Sequence, residues 1–269
     1  MRATMRPIVA LLSDFGIRDH YAGAMKGAVL SACPEAEVVD LTHEIEPHDV
    51  FGAAFALSAA FQAFPPGTVF LAVVDPGVGT ERRGLAAGAR GHLFVAPDNG
   101  LLTLVLADGH GASIHEIANT ALLPGRVSST FHGRDVFAPV AGHLARGGPL
   151  AFVGPPTASP VLLPLPEVTP FRPGVWIGTV LHVDRFGDLT TNVTAADLDA
   201  FAGGEDWSRL VVVVEGAIVP LVKTYAEVPE GQACALLGSS RRLEIAANKG
   251  SAARLFGLSR GAPFSVRRA

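Results

Sequence analysis

Asp75 and Arg82 stand seven residues apart in VVDPGVGTERR (73–83). Val73 and Val74 are strand formers, and Asp75-Pro76-Gly77 cannot continue a central strand, so the carboxylate sits at the lip of an apolar run. A turn accounts for the acid; so does a site that uses a carboxylate braced by a guanidinium. LLSDFGIRDHY (11–21) repeats the pattern with Asp14, which reads either as a turn or capping aspartate or as an acceptor for the two hydroxyls of a cis-diol such as ribose. STFHGRDVFAP (129–139) gathers Thr130, His132, Arg134 and Asp135 before an apolar helix, as a capped helix start or a ligand loop. HVDRFGDLTTN (182–192) reads as a polar turn between two strands, and its glycine does not explain Asp184, Asp188, Thr190 and Asn192 together. GSSRRLEIAANKG (238–250) offers two hydroxyls, a basic pair and Asn248, or simply a solvated turn.

These segments need a frame. The first half alternates strand-like runs (8–12, 37–41, 69–74, 93–96) with helix-period segments (21–32, 50–64). Such alternation predicts an α/β domain with a mainly parallel sheet, whose ligands bind beyond the carboxyl ends of the strands. Asp14, Asp75 and Asp98 all follow such ends. Seven prolines fall between Pro155 and Pro173, which excludes helix and central strand and predicts an inter-domain linker. Beyond it come short β-type runs (175–183, 210–214, 218–221, 233–237, 243–246, 264–267), with one convincing helix at 195–201. The expected plan is therefore an α/β domain over 1–154, a linker over 155–173 and a small β-barrel over 174–269.

Composition narrows the function classes. The chain of 269 residues is 49% hydrophobic, enough for a sizeable core. A net charge of −4 with scattered Lys and Arg argues against nucleic acid. No apolar run approaches a membrane span, and the run after Arg2 and Arg6 is too short for a signal segment. Cys33 and Cys234 show no metal or disulfide spacing and read as core residues. A cytoplasmic protein with no membrane partner is expected.

In their order along the chain, SDFG, DLTH, VVDPGVGT, APDNG, TFHGRD, DRFGDLTTN and GSSRRLEIAANKG resemble the S-adenosyl-L-methionine hydroxide adenosyltransferases, relatives of the adenosyl fluorinase and chlorinase. The resemblance covers nearly the whole chain. It implies an enzyme that hydrolyses S-adenosyl-L-methionine to adenosine and L-methionine by in-line attack of water or hydroxide on ribose C5′. It also implies a homotrimer with sites between subunits, and no cofactor or metal, with adenosine able to stay bound after turnover.

Carried over residue by residue, the resemblance assigns Asp75, Arg82 and His132 to catalysis. Asp75 would hold the water and take its proton, directly or through His132, while Arg82 braces Asp75 and weakens it as a base. Asp14 would bind the ribose hydroxyls; Asp184 and Asp188 would face the methionine ammonium and Ser239 its carboxylate. Phe186 and Tyr225 would pack on adenine, and Phe131 and Ala247 complete the binding set. Position 188 is Asp where relatives commonly have Asn, and 240 is Ser where halogenating relatives have Arg. Halogenases carry Tyr at the position of Asp75, and the fluorinase carries Ser at that of Gly133, so water is favoured over halide. The alternatives are a halogenase, a metal-dependent nucleoside hydrolase built on Asp14, Asp75, Asp98 and His132, or an adenosine-binding module without catalysis. His20, His43, His48 and His143 are expected at the surface or as caps.

Overall fold

The computed structural model describes residues 6–107, 111–204 and 206–268. The chain forms two compact units, one ending at Leu163 and the other beginning at Pro164.

Apolar residues at successive positions of one strand face opposite sides, so a run that is hydrophobic throughout needs cover on both faces. β1 (Ile8–Ser13) meets that need. Val9 and Leu11 pack with Met25 and Val29 of α1 (Tyr21–Ala32), whereas Ala10 and Leu12 pack with Ala53 and Leu57 of α2 (Val50–Ala60). Five further strands complete the sheet: β2 (Glu37–Thr42), β3 (Val69–Val73), β4 (Gly84–Ala89), β5 (His92–Pro97) and β6 (Ser113–Glu116), in the order β2-β1-β3-β5-β4-β6. The β1-β2, β1-β3 and β3-β5 pairs are parallel, while β4 pairs antiparallel with β5 and β6. The reversal between β4 and β5 takes two residues, Arg90 and Gly91, both at positive φ, as a tight right-twisted hairpin requires. α3 (Thr103–Leu106) and α4 (Ala138–Ala145) follow. The α2 start is capped by Asp49, whose carboxylate accepts from the Gly52 amide at 3.0 Å.

Strand order reverses around β1. The chain runs outward from β1 to β2 and then returns past β1 to β3, so the loops after β1 and β3 diverge and leave a crevice. Asp14 and Asp75 occupy those two loops.

The second unit is antiparallel: β7 (Thr169–Arg172), β8 (Val175–Val183), β9 (Leu189–Thr194), β10 (Leu210–Val214), β11 (Ala217–Pro220), β12 (Ala233–Leu237), β13 (Arg242–Ala247) and β14 (Pro263–Arg268). The order is β11-β10-β14-β8-β9-β13-β12, with β7 beside β8. A bridge between Leu221 and Ala235 joins the two ends and nearly closes a barrel around Leu189, Leu198, Val212, Leu243, Ile245 and Phe264. α5 (Ala195–Ala202) starts with a Thr194–Asp197 capping box and stops at Gly203 in the left-handed region; α6 (Ala252–Phe256) is a single short turn. This α/β unit with a mainly parallel sheet, followed by a small antiparallel barrel, is the architecture expected from the sequence.

Three local expectations are revised. The 182–192 segment is not all turn: it reverses within 184–188, and Thr190 and Asn192 are buried in β9. The Asn192 carboxamide accepts from the Thr179 amide and donates to the Pro166 carbonyl, a barrel role. His43 and His143 are buried, not superficial, because each ring finds a partner inside: Ser13 for His43 and the Pro149 carbonyl for His143. The proline-rich stretch carries order of its own. Residues 157–163 are tied to Arg83, Asp98 and Thr103, and Thr169–Arg172 forms an edge strand, where proline is tolerated. Among the described residues, no helix is long and apolar enough to cross a membrane.

Candidate active site

The crevice between the loops after β1 and β3 holds a pocket of about 330 Å³ lined by Asp14, Phe15, Tyr21, Asp75, Phe131 and His132 among others. Two glycines bring the Asp75 and His132 side of it together. Gly79 has φ +78°, and a Cβ there would lie 2.4 Å from the Ser129 carbonyl oxygen, so only glycine lets the β3–β4 loop close onto the loop that carries His132. A Cβ on Gly77 would press at 3.2 Å on Arg82 Cγ, where the arginine folds back toward Asp75.

Arg82 Nε donates to Asp75 Oδ1 at 2.8 Å, and Nη2 donates to both Asp75 Oδ2 and His132 Nδ1, the latter at 2.7 Å. The pair is well buried, at 12% exposure for Arg82 and 6% for Asp75, and the guanidinium lies 5.1 Å from the Phe137 ring centre. Arginine has no acceptor, so His132 Nδ1 must be the acceptor and the ring proton must sit on Nε2. His132 is thus a neutral imidazole that offers an N–H. Burial pushes its pKa down, and Arg82 adds to the depression against the weaker opposing pull of Asp75 and Asp135. The guanidinium, not a direct hydrogen bond, links Asp75 to His132.

Behind this set, the turn after β5 holds its two anchor points. Asn99 Nδ2 donates to the carbonyl of Val74, the residue before Asp75, at 2.8 Å. Asp98 accepts from Arg83 Nε, next to Arg82, at 2.8 Å and from the Val161 amide at 2.7 Å. Both Asp98 oxygens are therefore committed away from the pocket, which removes it from the metal set imagined with Asp14, Asp75 and His132. Among the described residues no cluster of three or more His, Cys, Asp or Glu is arranged to hold a metal ion.

Asp14 Oδ2 accepts from the His48 amide at 2.9 Å, and His48 reaches that position with φ +68°. The other oxygen remains available to a ligand. Phe15, Tyr21 and Phe131 form an aromatic wall beside it, with ring centres 5.3–6.0 Å apart. Sequence reasoning had chosen Phe131 alone; Phe15 and Tyr21 were within the same short motif as Asp14, and that adjacency was the available signal.

The second unit brings together Asp184, Phe186, Asp188, Tyr225, Ser239 and Ala247 around a pocket of about 690 Å³. Asp184 Oδ1 accepts from the amides of Phe186 and Asp188, both at 2.9 Å, so it builds the turn it stands on. Gly187 is required there: its φ is +86° and a Cβ would meet Ser251 Oγ at 2.0 Å. Glu244, which sequence reasoning missed inside the 238–250 motif, accepts from the Tyr225 hydroxyl at 2.6 Å. Its alternation with Leu243 and Ile245, which face the core, was the signal that could have found it. Asp188 Oδ1 is buried without a partner among the described residues. Burial, and then the charges of Asp184 and Glu244, push the Asp188 carboxyl up to about 6, against the opposing Ala247 amide. The hydrogen bond to Glu244, helped by burial, pushes the Tyr225 phenol well up as well. Three carboxylates on one wall make a receptor for a cation. Phe186 stands at the rim with 75% of its surface exposed.

Comparison with known proteins assigns both units to one family. Residues 9–154 match the family model for the SAM hydroxide adenosyltransferase N-terminal domain, and residues 178–265 match that for the C-terminal domain. An (R)-S-adenosyl-L-methionine hydrolase from Thermus thermophilus is 43% identical over 96% of this chain and 98% of its own. A fluorinase from Nocardia brasiliensis is 31% identical over 97% of both chains. The crystal structure of an uncharacterized conserved protein from Thermotoga maritima superposes with a TM-score of 0.89 at 37% identity, covering 97% of this chain and 100% of the other.

Proposed function

This chain belongs to the SAM hydroxide adenosyltransferase family, and we propose that it hydrolyses (R)-S-adenosyl-L-methionine to adenosine and L-methionine. The oxygen of water forms a bond to ribose C5′ as the C5′–S bond breaks. Its electron pair stays on sulfur, converting the sulfonium to the neutral thioether of methionine, and one water proton is released to the protein. A sulfonium needs no protonation to leave, so neither a metal nor an organic cofactor enters the step. What the protein supplies is the position of the water and an acceptor for its proton.

The observation that carries this reading is the Asp75–Arg82–His132 constellation, whose Asp75 and His132 line one pocket with Asp14 while Arg82 bridges them from behind. Asp14 would take the ribose hydroxyls and Phe131, Phe15 and Tyr21 would flank the nucleoside. Asp75 is the base: its carboxylate keeps acceptor positions beyond those given to Arg82, while His132 has already committed Nδ1 to the guanidinium. His132 contributes its Nε2–H as a donor that orients the water. The leaving group is good, so little deprotonation of the water is needed at the transition state. A halide at this place would be repelled by the Asp75 carboxylate.

Asp184, Asp188 and Glu244 suit the methionine ammonium, and Ser239 its carboxylate, with Phe186 and Tyr225 against adenine. We place the two half-sites on neighbouring subunits of a cytoplasmic homotrimer, a reading supported by their complementary chemistry, one for sugar and nucleophile and the other for a cationic amino acid. Mixing Asp75→Ala and Asp184→Ala proteins under subunit exchange then raises turnover at low substrate concentration above the sum of the two variants, whereas half-sites from a single subunit would leave it at that sum.

Incubation with (R)-S-adenosyl-L-methionine in ¹⁸O-labelled water tests the chemistry. Label at the 5′ oxygen of adenosine is expected; intact substrate, free adenine or unlabelled adenosine overturns it. Unchanged turnover after dialysis against EDTA is expected as well.

A further inference from the structure

The histidine of the DLTH motif has no part in the reaction above, yet it is almost completely buried, at 3% exposure, directly behind Asp14. Its ring joins two loops. His43 Nδ1 lies 2.7 Å from Ser13 Oγ, and Nε2 lies 3.1 Å from Asp40 Oδ1. Asp40 Oδ2 in turn accepts from Lys26 Nζ at 2.6 Å at the surface. The donors can be ordered in only one satisfying way. Asp40 is an acceptor, so His43 Nε2 carries the proton; Nδ1 then accepts from the Ser13 hydroxyl, whose oxygen is left to accept the Phe15 amide at 3.3 Å.

Serine, histidine and aspartate in a row suggest a nucleophile, and two facts exclude it. Ser13 is fully buried, and it meets Nδ1 rather than Nε2, the reverse of a hydrolytic triad. The arrangement does something else. His43 grips the chain on both sides of Asp14: its ring holds Ser13, and its carbonyl accepts the Gly16 amide at 2.7 Å. The Ser13 carbonyl also accepts the Ile45 amide at 3.4 Å, so residues 13–16 are laced to the loop after β2.

We propose that Asp40, His43 and Ser13 form a positioning relay that sets the Asp14 carboxylate for the ribose hydroxyls. The proposal rests on the assignment of Asp14 to ribose made above. None of the three touches substrate or the reacting atoms. A carboxylate that must accept two hydroxyls at once tolerates little angular error, and the β1 end alone leaves the loop free to turn at Gly16, whose φ is +66°. The relay removes that freedom.

Calorimetric titration of adenosine and 2′,3′-dideoxyadenosine separates this role from a merely structural one. Wild type is expected to prefer adenosine by about 100-fold. Ser13→Ala and His43→Leu should reduce that preference by roughly tenfold while dideoxyadenosine binds as before, with KM for the substrate raised and kcat kept within about threefold. His43→Asn, whose Oδ1 can replace Nδ1 toward Ser13, should recover most of the preference. Retention of the full preference in Ser13→Ala overturns the relay, as does an equal loss for both nucleosides. Equal affinity of wild type for the two nucleosides overturns the ribose assignment itself, and the relay with it.

Discussion

In the first unit Asp75 is clamped by a bidentate guanidinium, while in the second Asp184, Asp188 and Glu244 face one pocket and, among the described residues, no salt bridge joins them to the Lys249 and Arg254 that line it too. The first arrangement fixes a carboxylate in one orientation, as suits the proposed base, which must present one lone pair to one water. The second accumulates negative charge at a cost, visible in the elevated pKa of Asp188, and that cost is recovered when a cation arrives. A charged side chain is thus used for its geometry in one place and for its field in the other.

The contrast can be tested by removing each feature in turn. Asp75→Ala should lower kcat by about 10³ and leave adenosine affinity within about threefold, measured by chromatographic release of adenosine and by calorimetry. Arg82→Lys keeps the charge and loses the fork; turnover should fall by about 10², and a loss smaller than about threefold would mean that charge alone suffices. Asp184→Asn preserves the turn, because a carboxamide oxygen can accept the same two amides. It should raise KM about tenfold with kcat unchanged.

Asp188 gives a pH signature. Its folded pKa, about 6, lies above the ordinary 3.8, so the stability linked to its protonation is full below pH 3.8 and lost as pH rises through about 6. Asp188→Asn should therefore gain on the order of 1–2 kcal/mol in urea unfolding near neutral pH, allowing for solvent screening, and nothing at the acid end. Correspondingly, the wild-type KM should rise as pH falls below about 6, and that of the variant should not. The smallest effect belongs to the exposed Lys249–Glu230 pair at 3.0 Å: Lys249→Ala should change stability by less than about 0.5 kcal/mol.

Much of the frame was legible because both faces of the first sheet are covered and the runs at 8–12 and 69–74 are apolar throughout. β4 was not legible. GLAAGA contains no β-branched or aromatic residue, and its strand state comes from partners on both sides, β5 and β6. β9 was hidden for a related reason: Thr190, Thr191 and Asn192 look like turn residues, and burial inside a barrel overrides that preference. At the site, motifs pointed to Asp14, Asp75, Arg82 and His132, and to Asp184 and Asp188 of the second pocket. Glu244 escaped because an acid in an alternating strand reads as a solvent-facing position, which says nothing of what else shares that face.

By itself the amino-acid order determined where the chain turns, which runs must be covered, and which chemical groups end at strand tips, since these follow from side-chain period and from local backbone preference. Only the tertiary structure decided that His132 is a proton donor at Nε2, that His43 backs Asp14, that Asp98 is spent on Arg83, and that Asp188 resists ionisation. Those are properties of the field and the hydrogen-bond partners at a point, and both are set by groups far along the chain that folding brings within a few ångströms.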